Sequence, residues 1–221
     1  MTAPLSGLLH RTERRIRIIS ILRWAVPAGL SPVKLDIVHS LAYLADALSP
    51  VWNLPILDGQ LLKTTRPYFP ALQHDLDELV GTGLVEVTRF KYSPLSASAS
   101  SWGIDADYVL REDRTQPIFD EITRHPEQVR GMEFVREVVF AASGLGVEGL
   151  IGIGGLDAAY SDPQVDLGGL LDVNPELGRS NKTAQAASRI ATLISDSDHR
   201  FSDAELVHLY VRHLYSRMQI A

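Results

Sequence analysis

His74 and Glu78 stand four residues apart, the spacing that lays two metal ligands on one face of a helix. No third ligand falls at a compatible position, and acid-rich solvent-facing helices carry such pairs without holding an ion. The other histidines, His10, His39, His125, His199, His208 and His213, are scattered, and the last two diverge around a helix. Asp196, Asp198 and Asp203 form an acidic cluster. A calcium loop would want an oxygen ligand at its fifth position and glycine at its sixth, where this chain has Arg200 and Phe201. Gly144-Leu145-Gly146-Val147-Glu148-Gly149 spells the dinucleotide fingerprint, which works only between a strand and a helix N-terminus. Here the preceding segment reads as helix and the following one is broken by glycine, so the expectation is a flexible connector. The sequence holds no His-Glu-x-x-His, nucleophile elbow or P-loop. It also has no cysteine, which removes disulfides, thiolate nucleophiles and cysteine zinc sites. The reading is a chain with no catalytic set, no cofactor and no metal; a site assembled from distant residues stays open as the alternative.

Nucleic acid is the next question. The formal charge of -6 gives the whole molecule no general attraction to phosphate, so contact would need a local basic patch. Lys63, Arg66, Arg89 and Lys91 are the candidates for backbone phosphate contacts, and they flank a helix expected after Pro70. That helix carries His74, Asp75, Asp77 and Glu78 with Gln73 as its one amide, an acidic surface that a major-groove reader would not present.

The elements behind these residues follow from apolar spacing. Ile16, Ile19, Leu22 and Val26 predict a first helix from about Glu13 to Ala28, stopped by Gly29. Pro32 is placed to open a second helix, with Leu35, Val38, Leu41, Ala42, Ala45 and Leu48 as its stripe, ending before Pro50. A loop around Asp58-Gly59 leads to a short extended Leu61–Lys63. Leu72, Leu76, Leu79 and Val80 predict the third helix, closed by Gly81 and Gly83. Leu84–Phe90 then alternates as a strand, Asp107–Arg111 returns, and a Ser/Ala-rich stretch from Ser93 to Ser101 joins them. Three helices and a hairpin are the order of a winged-helix domain. In the second half helices are expected over Pro117–Arg124, Pro126–Ser143 and Lys182–Ser195. A loop is expected over Ser161–Leu177, and a last helix from Ser202, where Glu205 completes a capping box.

Two groups of large side chains suggest a partner surface. Trp52, Tyr68 and Phe69 sit beside prolines in loops and either close the domain core or stand out as anchors. On the last helix Leu206, Leu209, Tyr210, His213 and Leu214 cover one side while Val207, Val211 and Tyr215 cover another. That surface is wider than a one-sided helix needs. Such a helix is either clamped inside its own domain or docked on another subunit.

The run from Leu44 through Ala45-Asp46-Ala47-Leu48-Ser49-Pro50-Val51-Trp52 to Leu57-Asp58-Gly59-Gln60-Leu61-Leu62-Lys63, together with Pro67-Tyr68-Phe69-Pro70 to Val80, carries a likeness. These segments resemble the middle component of bacterial ABC three-component conflict systems, the group that includes Lamassu anti-phage defence. The likeness covers roughly Glu13 to Tyr92 and fades afterwards. It implies a non-enzymatic subunit assembled with an SMC- or Rad50-like ATPase and a separate effector, often a nuclease, with DNA reached only through the complex.

The combined expectation is a mainly α protein with a small β-hairpin. Residues 13–112 would form a winged-helix-like domain and 113–221 a helical C-terminal region. Apolar content of 45% and charged content of 22% fit a globular chain with a core. Arg17 and Arg23 interrupt the apolar stretch from Ile16 to Leu30, so neither a signal peptide nor a membrane span is expected, and the cytoplasm is the expected location. With no export signal, the Asn181-Lys182-Thr183 sequon reads as chance. The expected role is an adaptor that restrains the effector; the alternative is a dimeric winged-helix transcriptional regulator, paired through its C-terminal helices.

Overall fold

Helix α1, Ala3–Ala25, starts a full ten residues earlier than its apolar stripe suggested and ends three residues before the expected Ala28. Gly29 takes a left-handed φ of 73°, and the Leu30 amide returns to the Ala25 carbonyl at 2.9 Å. Residues 3–94, 102–174, 181–194 and 200–220 are described by this computed structural model. The hairpin tip beyond residue 94 and the acidic positions Asp196 and Asp198 lie outside them. Among the described residues no helix is long and apolar enough to cross a membrane.

Pro32 does not open the second helix. Val33–Lys34 forms a short strand, β1, and α2 runs Leu35–Leu48. The sequence showed one apolar stripe on α2, yet nearly the whole helix is buried, His39, Ser40, Tyr43 and Asp46 included. Alanines at 42, 45 and 47 let neighbours approach from every side, so α1, α5, α6 and α8 all pack around it. A 3-10 turn at Ser49–Trp52 ends on Asn53 at φ 51°. Strand β2, Gln60–Leu62, precedes α3, Pro70–Gly81.

Strands β3, Val85–Pro94, and β4, Trp102–Leu110, form the expected hairpin, and β1 adds to β4 to give the antiparallel order β1-β4-β3. Val87 faces Tyr108 while Arg89 faces Asp107, so Thr88 is an extra residue, a β-bulge. The bulge reconciles a phase change in the sequence. Val85 and Val87 are apolar at odd positions, Phe90 and Tyr92 at even ones, and inserting Thr88 keeps all four on the face of Tyr108 and Ala106.

In the second half α4 spans Glu112–Ile122, with Pro117 inside it, and α5 spans Pro126–Ser143. The glycine-rich segment is not simply a connector: it holds two short helices, α6 at Gly146–Ile151 and α7 at Ile153–Leu156. Gly154 is required there, because a Cβ would sit 2.7 Å from the Tyr160 ring. Strand β5, Leu170–Asp172, pairs antiparallel with β2, Leu61 opposite Leu171, in what was expected to be loop. Helices α8, Lys182–Ile194, and α9, Asp203–Ile220, complete the chain. The boundary expected at 112/113 falls in the first turn of α4, and one hydrophobic cluster contains residues from both sides of it. The fold is mainly helical, with small antiparallel sheets.

Candidate interaction surface

The four arginines that open the chain's charged segment all face inward on acids. Arg14 donates through Nε to Asp58 at 2.7 Å and through Nη1 to Asp75 at 2.6 Å. Arg11 and Arg15 reach Asp75 at 3.0 and 3.3 Å, and both pair with Glu78. Arg17 pairs with Asp46, whose carboxylate also accepts the backbone amides of Leu57 and Asp58 at 2.9 and 3.0 Å. Asp46, Asp58, Asp75 and Glu78 therefore bind one arginine stripe on α1. Burial pushes the Asp75 carboxyl up, and Arg14, Arg11 and Arg15 together outweigh it and hold it below the usual carboxylate range.

The sequence pair His74 and Glu78 lies within this network. Glu78 is occupied by two guanidinium groups, and His74 meets it at 3.3 Å as a third partner. Among the described residues no group of three His, Asp or Glu is placed to hold an ion.

The four candidate phosphate contacts are placed as follows. The Lys63 ammonium donates to the carbonyls of Asp162 and Val165 at 2.7 and 2.6 Å, pinning the loop after α7. Arg66 pairs with Asp36, and Arg89 donates to Asp107 and Asp105 at 2.8 and 3.0 Å. Lys91 is exposed on β3.

Of the aromatic candidates, Phe69 is 3% exposed and belongs to the core, whereas Tyr68 is 44% exposed and lies against His39, with ring centroids 4.8 Å apart. The Phe69 amide donates to His39 Nδ1 at 3.2 Å, which makes Nδ1 the acceptor and puts the imidazole proton on Nε2, 3.3 Å from Gln73 Oε1. Val207, Tyr210 and Val211 are buried and Leu206 is half-buried, so most of α9's apolar width is used inside this chain; Tyr215 remains 42% exposed. Sequence reasoning missed the group that holds α9. Asp157, fully buried, accepts the hydroxyls of Tyr43, Tyr210 and Thr183 and the amides of Ala159 and Tyr160. A single aspartate in a glycine-rich stretch gave no signal. The sequon is internal as well: Asn181 donates to the Ala47 carbonyl at 2.9 Å and caps α8 through the Ala184 amide.

Trp52 is half-buried, its ring 5.6 Å from Phe134, and it lines an open groove of about 710 Å³ with Val129, Arg130, Glu133, Asp203 and Ala204. A second cleft of about 320 Å³ lies between α1, α5 and residues 53–57. Arg130 lines both, with one guanidinium nitrogen 2.7 Å from the Trp52 carbonyl. The Trp52 indole Nε1 is buried, with no acceptor among the described residues. The groove joins an aromatic wall at Trp52 and the apolar side chains of Val129 and Ala204 to charges of both signs at Arg130, Glu133 and Asp203. No protein-family model matches the chain, and no curated protein matches it.

Proposed function

We propose that this chain is a non-catalytic adaptor subunit of a DNA-sensing, SMC/Rad50-like ATPase complex of the anti-phage type, linking the ATPase to a separate effector such as a nuclease. The observation that carries the reading is the fate of the charges around α3. Asp75 and Glu78 are held by the α1 arginines, and Lys63, Arg66 and Arg89 are engaged within the chain. Phosphate recognition then falls to a partner, and the groove around Trp52 and Arg130 is the surface that partner takes. Restraint is the mechanism: the adaptor holds the effector until the ATPase changes the relative affinity of its two states.

A second reading, a dimeric DNA-binding regulator, draws on the order α1-β1-α2-α3-β3-β4 and the sheet order β1-β4-β3. That order supports a winged-helix-like domain in residues 13–112 with a helical region in 113–221. Affinity purification of the tagged chain from its native host separates the two. Stoichiometric capture of a coiled-coil ATPase, weakened by Arg130→Glu, is the expected result. A lone protein that shifts duplex DNA with steep salt dependence would overturn the adaptor and promote the regulator.

A further inference from the structure

The three-stranded sheet ends very differently on its two sides. On one edge β1 offers two residues; on the other β3 offers ten, and among the described residues no strand pairs with β3 on the side away from β4. An edge of that length is an open template of backbone donors and acceptors.

We propose that the β3 edge is a self-association site, which takes a second copy of this chain in antiparallel pairing about a two-fold axis between Thr88 and Arg89. The argument is the sequence of the edge read against itself. About that axis Glu86 of each copy faces Lys91 of the other, and Val87 faces Phe90. Each contact occurs twice, as an isologous interface demands. Opposite residues in a β-pair must share a face. In a regular strand, residues 87 and 90 point to opposite faces, and so do 86 and 91. The Thr88 bulge removes the conflict: Val87 and Phe90 lie on the face of Tyr108 and Ala106, Glu86 and Lys91 on the face of Val109 and Asp105. Phe90 is 63% exposed in the single chain, and the pairing lays it over the half-buried Val87 of the partner copy. Arg89, nearest the axis, brings no repulsion because Asp105 and Asp107 already neutralise it. A bulge with charges on the edge blocks indiscriminate strand addition, and this register is one it permits.

The inference stands apart from the adaptor reading, because its test needs only the purified full chain. Sedimentation velocity over a concentration series should show a monomer–dimer equilibrium. Glu86→Lys and Lys91→Glu should each weaken it at least about tenfold by setting like charges opposite one another. An equimolar mixture of the two variants should dimerise again, since one then supplies lysines and the other glutamates at the paired positions. Glu86→Lys also gives up an exposed ion pair with Arg111 at 3.3 Å, which Lys91→Glu leaves intact, so agreement between the variants separates the interface from that local change. Urea unfolding of each variant confirms that it is folded. A monomer at every concentration, a dimer indifferent to the reversals, or a mixture that fails to pair would each overturn the proposal.

Discussion

The hydroxyl of Tyr43 on α2 and the hydroxyl of Tyr210 on α9 donate to opposite oxygens of one buried carboxylate, Asp157, at 2.5 and 2.8 Å. Thr183 on α8 bridges both oxygens, and the amides of Ala159 and Tyr160 complete the shell. Five donors among the described residues thus converge on this carboxylate. Burial first, and the neighbouring carboxylate second, push both phenols above their usual range, so they remain donors. Asp157→Ala strands three hydroxyls and two amides, and should cost roughly 3–5 kcal/mol in urea unfolding of the full chain. Tyr210→Phe keeps the ring but orphans the Ala158 amide, which donates to the Tyr210 hydroxyl at 3.1 Å, and should cost about 1–2 kcal/mol. No loss for Tyr210→Phe would mean that α9 is not clamped through this group.

What was legible in the sequence was periodic and local. The apolar spacing of α3 and α5 placed them within a residue or two, and the Ser202–Glu205 box forms as drawn, with the Ser202 amide 2.8 Å from the Glu205 carboxylate. Pairings at long range left no mark. Strand β2 meets β5 about a hundred residues later, and three residues on each side are too few to alternate recognisably. The width of α9 was visible, but whether Tyr210 met a partner protein or Asp157 depends on a distant aspartate. Asp58 reads as part of a turn, Asp75 and Glu78 as an acidic helix face, and Asp46 as one more position in a helix. Only the folded position of α1 turns them into one ion-pair network.

Arg14 joins two of those acids, and its removal should be felt most at neutral pH. Arg14→Ala leaves Asp58 without its close guanidinium partner and weakens the hold on Asp75, at a cost of roughly 3–5 kcal/mol in denaturant unfolding. Asp75 has a folded-state pKa below its unfolded value, so its contribution is fully present above about pH 4 and is lost as acid protonates the folded carboxylate. The gap between wild type and Arg14→Ala should therefore narrow in acid. A gap that stays constant from neutrality down to pH 2 would show that charge is not what Arg14 contributes.

His39 gives a second pH dependence in a different window. Burial disfavours the imidazolium and lowers the pKa from 6.5, with Gln73 and Asp36 acting weakly the other way. A protonated Nδ1 would also point an N–H at the Phe69 amide that now donates to it. Because the folded pKa is depressed, the stabilisation is complete above the unfolded value and is lost as pH falls below about 6.5. Wild type should lose more stability than His39→Gln between pH 7 and 5. The Tyr68 ring, packed on His39, reports the event directly as a change in tyrosine fluorescence. Parallel pH profiles for the two proteins would sink this assignment.

Thr88 is an insertion in an otherwise regular alternation, and that predicts an unusual tolerance. With Thr88 removed, Val85, Val87, Phe90 and Tyr92 still fall on one face, and Glu86, Arg89 and Lys91 on the other. No side chain changes sides, and among the described residues Thr88 gives up the weak 3.4 Å bond from its hydroxyl to the Asp107 carbonyl. Deleting Thr88 should change the unfolding free energy by less than about 1 kcal/mol. Deleting Val109 from the regular partner strand must instead turn Tyr108 and Leu110, both buried, to opposite faces of the hairpin. That variant should lose cooperative thermal unfolding altogether. Equal damage from the two deletions would mean that the bulge itself, and not the facing of the apolar side chains, holds the hairpin on α3.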